Sequence, residues 1–246
     1  MIIMNLRRLI PIGCTAAFLA AGGAFAQQPS KEQPARTEVW DLRLGTPADR
    51  LPDEFADYAC GTNGGPPSIP LSGWGDFRRC RPDSQGLREV YFRYDDELEY
   101  WAKAHRARTL IAQYAGTKVL DFPVILSGLL DVNGTLAGLR IVTDPQANPQ
   151  DRKQAYTLSN FFKARYGGGG WDCADTPPAP GENPVGTLYI NQRCTKLVKV
   201  DMRAVLETRF LRRSGQTEFS GSGKLTVGQF ESSTRLELLR PDVRIE

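Results

Sequence analysis

Two cysteine pairs limit what this chain can fold into more than any other feature. The stretches Tyr58–Cys80 and Trp171–Cys194 each hold a cysteine, a Gly/Pro-rich loop and a second cysteine, and each is followed by sequence of strand type. Cys60 precedes Cys80 by 20 residues, and Cys173 precedes Cys194 by 21. Of the three pairings that four cysteines allow, Cys60–Cys80 with Cys173–Cys194 respects this repeat and closes two loops of similar length. On the chain-entropy account each clip stabilises by roughly 3 kcal/mol. A zinc site is the alternative use of such thiols. The cysteines are not in CxxC pairs, and the only histidine, His105, lies far from all of them in sequence, so neither a metal nor a cofactor is expected.

Disulfides require an oxidising compartment, and the first 26 residues supply a route to one. Arg7 and Arg8 form a charged start, Leu9 to Ala21 an apolar stretch too short to span a bilayer, and Ala24-Phe25-Ala26 a small-x-small cleavage site. Cleavage after Ala26 removes the fifth cysteine, Cys14, and leaves a mature chain of 220 residues with 29 Lys and Arg against 28 Asp and Glu. That near-balance argues against nucleic acid or a polybasic membrane contact, since phosphate binding needs a cationic excess on one face. No second apolar segment is long enough to cross a membrane. The expected location is periplasmic or secreted.

Along the mature chain, residues 27–37 are polar and Pro-containing and read as a flexible N-terminus. Thr46-Pro47-Ala48-Asp49 is a helix-start signature, which predicts a short helix toward Tyr58, restricted to a turn or two by Pro52. Leu87–Asp95 alternates as a strand, and residues 96–115 read as one helix with Leu98, Trp101, Ala102, His105 and Ala112 along one side. Val119–Leu130 and Thr135–Thr143 are strands joined at Asn133-Gly134, a strong hairpin signal. Asn148-Pro149-Gln150-Asp151 repeats the earlier helix start, and a helix to about Tyr166 is expected to bury Ala155, Leu158, Phe161 and Phe162. Val198 to Phe210 reads as one long strand with a wet face, and Phe230 to Leu238 as a closing strand. The expected fold is α+β, mainly antiparallel sheet with two or three helices, built as two similar disulfide-clipped units at 38–144 and 145–246.

The Leu44-Gly45-Thr46-Pro47 lead into the first helix, together with the duplicated cysteine pairs, resembles the small BamE-type modules of the cell envelope. It is also similar to the tandem arrangement of the β-lactamase-inhibitor protein, in which two such units each carry a disulfide. This resemblance rests on the order of elements over about two thirds of the mature chain, and residues 96–116 and the long second cysteine loop depart from it. It implies a binding protein and carries over no functional residue.

Chemistry is sparse. His105, flanked by Lys103 and Arg106, has no G-x-S-x-G nucleophile to serve. The acidic run holding Asp95, Asp96, Glu97 and Glu99 provides the weak catalytic candidates, although acids at a helix start also favour the helix dipole. Asp131-Val132-Asn133-Gly134 lacks the closing glutamate of a calcium loop, and Ser220-Gly221-Ser222-Gly223-Lys224 lacks the first glycine and the final Ser/Thr of a phosphate loop. The loop Gly61–Pro67 has the composition to offer backbone N–H groups to an anion. The two clipped loops, with Trp74, Phe77, Trp171 and Tyr189, have the make-up of a rigid recognition face. The function expected from this pattern is an exported, non-catalytic adaptor of the cell envelope with a protein partner. The alternatives are a carboxylate hydrolase of envelope glycan, and an inhibitor of a secreted enzyme that docks through a concave, aromatic-lined sheet.

Overall fold

Strands are the main regular elements of the chain, and alternation of apolar and polar side chains shapes several of the longer ones. The computed structural model describes residues 36–215, 217–219, 224–227 and 230–244; residues 1–35, where the sequence reading places a leader and a flexible N-terminus, and Ser220–Gly223 of the glycine-serine loop lie outside them. In chain order the strands are β1 (Phe55–Cys60), β2 (Arg88–Tyr94), β3 (Lys118–Val119), β4 (Phe122–Leu130), β5 (Leu136–Thr143) and β6 (Asp172–Asp175). They continue with β7 (Glu182–Asn183), β8 (Ile190–Lys199), β9 (Met202–Arg213), β10 (Thr217–Phe219), β11 (Leu225–Val227) and β12 (Glu231–Leu239). The helices are short: α1 (Glu97–Ala104), α2 (Arg108–Tyr114), α3 (Pro149–Gln154) and α4 (Leu158–Arg165). The architecture is α+β and mostly antiparallel.

The main sheet runs β1-β2-β4-β5-β12-β9-β8-β6, with every neighbouring pair antiparallel. Residues 38–144 supply β1 to β5 and residues 145–246 supply β6 to β12. The two groups meet where β5 pairs with β12, from Val142↔Arg235 to Gly138↔Leu239. From Arg36 onward the chain is one compact unit.

One phase of the alternation makes the core. Val90, Phe92 and Tyr94 of β2, Leu126 and Leu130 of β4, Leu139 and Ile141 of β5, and Leu236 and Leu238 of β12 are all buried. Leu158 and Phe162 of α4, and Trp74 and Phe77 of the 3₁₀ turn Trp74–Arg79, cover them from that side. Burying each such side chain contributes roughly 1.5–3 kcal/mol. Two further contacts tie on the N-terminal segment: Val39 N donates to the Tyr94 hydroxyl at 3.2 Å, and the Arg36 guanidinium lies 4.2 Å over the Tyr94 ring. Burial pushes the Tyr94 phenol up to about 12, so it stays neutral and able to accept.

Local structure departs from the sequence reading at four places. The expected helix after Thr46 is a single 3₁₀ turn, Ala48–Arg50, and the chain is a strand by Phe55; Pro52 removes a donor that a longer helix needs. The single helix of 96–115 is two, broken at Arg106, whose φ of 54° reverses the chain. The long strand through Val198 is a hairpin, with β8 turning at Val200-Asp201 into β9. Its turn carries neither glycine nor proline, so composition gives no sign of it. Phe161 is half exposed where burial was expected, while Ala155, Leu158 and Phe162 are buried as the periodicity requires.

Both disulfides have the pairing that the repeat indicates, Cys60–Cys80 and Cys173–Cys194. Cys60 and Cys80 are both buried in the core and fasten the loop after β1 beneath the sheet. Cys173 and Cys194 face each other across β6 and β8, which holds the short outer strand to the sheet. The outer edge of β1 is covered by the clipped loop, with Cys60 N donating to Ile69 O and Leu71 N to Tyr58 O, both at 2.8 Å. At the other edge β6 is only four residues long and carries Asp172 and Asp175, which discourage a further strand from adding.

Because Cys60–Cys80 closes a loop inside the core, the double substitution Cys60→Ala, Cys80→Ala is expected to lower the unfolding free energy by about 3 kcal/mol in urea titration. A loss under about 1 kcal/mol would show that the loop is held by its other contacts alone.

Candidate binding face

The second phase of the alternation forms the face of the sheet opposite the core helices. Glu89 and Tyr91 of β2, Ser127 and Leu129 of β4, Arg140 and Val142 of β5, and Arg235 and Glu237 of β12 come from this phase, as do Glu207 and Arg209 of β9 and Arg193 of β8. Most of them line a hollow of about 740 Å³, rimmed by the loops at residues 61–63 and 81–85 and by the C-terminal Val243-Arg244. Charge dominates its lining. At one end Leu87, Leu129, Leu239 and Val243 form a small apolar cluster, with Ala137 and Val205 beside them.

At its centre is a closed ring of polar contacts. Arg140 NH1 donates to Glu89 Oε2 at 2.6 Å, and Arg140 Nε to Glu237 Oε1 at 2.8 Å. Arg235 donates from NH2 to the same Glu237 oxygen at 2.6 Å and to Asn63 Oδ1 at 2.5 Å, and from NH1 to Asn63 O at 2.9 Å. Asn63 N closes the ring by donating to Glu89 Oε2 at 2.6 Å, and Gly64 N adds a bond to Glu89 Oε1 at 3.3 Å. The anion that the Gly61–Pro67 backbone holds is therefore this protein's own Glu89 carboxylate. Asn63 and Gly64 both have positive φ, 63° and 83°, which turns their successive N–H groups toward one point. Glycine is required at 64 for a second reason, since a Cβ there would lie 2.6 Å from Val142 Cγ2.

The Arg140 side chain is 9 % exposed, Glu89 11 % and Glu237 17 %. Burial of the Glu237 carboxylate opposes its charge, but Arg235 and Arg140 outweigh that penalty and hold its pKa below the ordinary 4.5. Beside the ring, Ser127 stands in register between Tyr91 and Arg140, fully buried, and its hydroxyl has no hydrogen-bond partner among the described residues.

The residues singled out from the sequence sit elsewhere. Trp74 and Phe77 are each 3 % exposed, so a partner docking on the folded chain does not reach them. Trp74 Nε1 donates to Pro52 O at 2.7 Å, and its ring packs on Phe55, Tyr58 and Phe92. Trp171 is half-buried against the core, donates from Nε1 to Gly167 O at 3.0 Å and has Lys196 Nζ 5.8 Å from its ring centre. The Tyr189 hydroxyl donates to Glu182 Oε2 at 2.8 Å; Glu182 also takes Arg213 Nε at 2.9 Å, and its pKa is lowered first by the Tyr189 bond. These four aromatics hold the clipped loops in place, and the hollow is lined with arginine and carboxylate where aromatic rings were expected.

The acidic run begins α1. Asp95 Oδ1 accepts from Glu97 N at 3.0 Å, and Asp96 is the N-cap residue. Glu97 Oε1 accepts from Trp101 Nε1 at 3.4 Å. Glu99 bonds Lys103 Nζ at 2.5 Å and Gly116 N at 2.8 Å; the Lys103 bond is the main reason its pKa is lowered, the reverse of what a general acid needs. His105 is exposed at the end of α1 and stacks on Trp101 with ring centres 6.0 Å apart. Asp131, of the calcium-like sequence, accepts from Asn133 N and Thr135 N at 3.0 Å each and so shapes the hairpin turn. No group of three His, Cys, Asp or Glu among the described residues is placed to hold a metal ion, and no helix among them is long and apolar enough to cross a membrane.

Arg140 is the site residue that sequence periodicity passes over, because it interrupts the apolar run Leu136–Thr143. The charged phases of β2, β9 and β12 were readable as a wet face, but nothing in the sequence joins them into one site. Comparison with family models, curated proteins and solved structures gives no match for this chain.

The ring makes two predictions. The unfolded chain protonates Glu237 near 4.5 and the folded chain only below that, so its contribution is complete above that pH and disappears as the pH falls through the lowered folded value. Denaturation of Glu237→Gln beside the parent protein should show a stability deficit of about 3–5 kcal/mol near pH 7 that narrows steadily below pH 4.5; a deficit independent of pH would place the loss outside this ionisation. Ser127→Ala removes a buried hydroxyl that makes no bond and is expected to raise stability by up to about 1 kcal/mol in the same assay.

Proposed function

We propose that the protein is an exported, non-catalytic binding module of the cell envelope, and that it recognises a protein partner with the hollow face of its sheet. The observation that carries this reading is the central ring. A backbone loop, two arginines and two carboxylates are locked together on a face that no helix covers among the described residues, which keeps the surface in one shape before a partner arrives and lowers the ordering cost of binding. The first clipped loop takes part through Asn63 and Gly64, as rim and brace of the hollow. Two disulfides fit a periplasmic or secreted location.

A second reading, inhibition of a secreted enzyme, draws support from strand order. From either edge to the β5–β12 seam the sheet reads clipped outer strand, inner strand, inner strand, central strand, as two similar units joined about a pseudo-twofold axis would give. On this reading the enzyme docks on the same face.

Site-specific photocrosslinking in the native compartment tests the proposal. With a benzophenone side chain placed in turn at Ser233 and Gln85 beside the hollow and at Arg106 in the α1–α2 turn, one discrete adduct is expected from the first two positions and none from the third. Adducts from position 106 alone, or from no position, would overturn it.

A further inference from the structure

We infer that the partner presents an acidic polypeptide segment to the hollow, laid across the strands and gripped by arginines at its two ends. This rests on the binding reading above and specifies its chemistry. Six arginines and four carboxylates line the hollow, but three of the carboxylates are already engaged. Glu89 and Glu237 belong to the ring, and Asp83 Oδ1 accepts from Gln85 N and Leu87 N of its own loop at 2.9 and 2.8 Å. Glu207 makes one ion pair, with Arg193 at 3.7 Å.

The arginines are not matched in the same way. Arg81 and Arg244 are exposed and pair with no carboxylate among the described residues. Arg193 and Arg209 are each about 40 % exposed and make single ion pairs of 3.7 and 3.4 Å, which leave most of their donors open. A guanidinium offers five N–H donors in a fork that fits carboxylate, so these four side chains are acceptor-seeking positions.

Their placement favours a chain over a small anion. Arg81 lies beside β2, next to the Pro82↔Arg88 bridge, whereas Arg193 is on β8 and Arg209 on the neighbouring β9. From β2 to β8 the sheet crosses five strand spacings, roughly 24 Å, the length of about seven extended residues. Half-buried Val142 among the arginines offers an apolar contact, which suits peptide side chains better than a sulfated or phosphorylated sugar.

The test uses the full mature protein with both disulfides formed. The probe is a fluorescein-labelled decapeptide of eight glutamates and two leucines, read by anisotropy, with its lysine counterpart and heparin as comparisons. The acidic peptide is expected to bind, to weaken as salt rises, and to weaken about tenfold on Arg81→Ala with Arg244→Ala. Both side chains are exposed, and an unchanged melting temperature checks the fold of that variant. Arg106→Ala with Arg108→Ala, in the α1–α2 segment, should leave binding unchanged. Binding of heparin without the peptide, equal binding of the lysine peptide, or no effect of the Arg81 and Arg244 substitutions would each overturn the inference. Failure of the peptide to bind alongside crosslinks from Ser233 and Gln85 would remove the acidic occupant and leave the binding reading standing. Loss of those crosslinks would remove both.

Discussion

The structure depends most on one buried cation. Arg140 lies on a central strand of the sheet, and its guanidinium is satisfied only because β2 brings Glu89 to one side and β12 brings Glu237 to the other. A charge with so little contact with water is costly unless it is paired on every side. That requirement couples strands far apart in sequence: Arg140 of β5 draws on carboxylates from residues 51 and 97 positions away. Arg235 extends the network to the first clipped loop through Asn63, at a separation of 172 residues.

The two faces of the sheet obey different rules. On the helical side the core is apolar and includes both cysteines of the first disulfide, and the aromatic side chains serve packing. On the open side the side chains are held by charge and hydrogen bonds, a directional arrangement that keeps a polar surface in one conformation without an apolar cover. Disulfide and loop link the two sides. Cys60–Cys80 fastens the base of the loop into the core, and the tip of the same loop places Asn63 and Gly64 over Glu89. The first staple thus acts on the proposed binding face at one remove, by fixing the backbone that braces it.

Much of the fold was legible in the sequence because its cause is local. Strand alternation in β2 and β12, the β-rich runs of β4 and β5, the Asn-Gly hairpin, the Asn148 cap accepting from Gln150 N and Asp151 N, and the disulfide pairing all follow from residue type and short spacing. Misreadings came where local signals compete. Thr46-Pro47 looks like a helix start, but the extended run from Phe55 pairs with β2 and wins; Val198–Phe210 keeps one alternation through a turn. Aromatics in a clipped loop look the same in sequence whether they face a partner or the core, and here the core took Trp74 and Phe77.

By itself, the sequence determined an α+β chain of antiparallel strands with two disulfides, since periodicity and cysteine spacing act over a few residues to a few tens. Only the tertiary structure decided that the wet phases of β2, β5, β12, β9 and β8 share one face, and that Glu89, Arg140, Glu237, Arg235 and Asn63 close into a ring. The physical reason is that strand order depends on long-range pairing, which no local pattern encodes. A charged side chain on a strand is simply wet until the neighbouring strand supplies its partner.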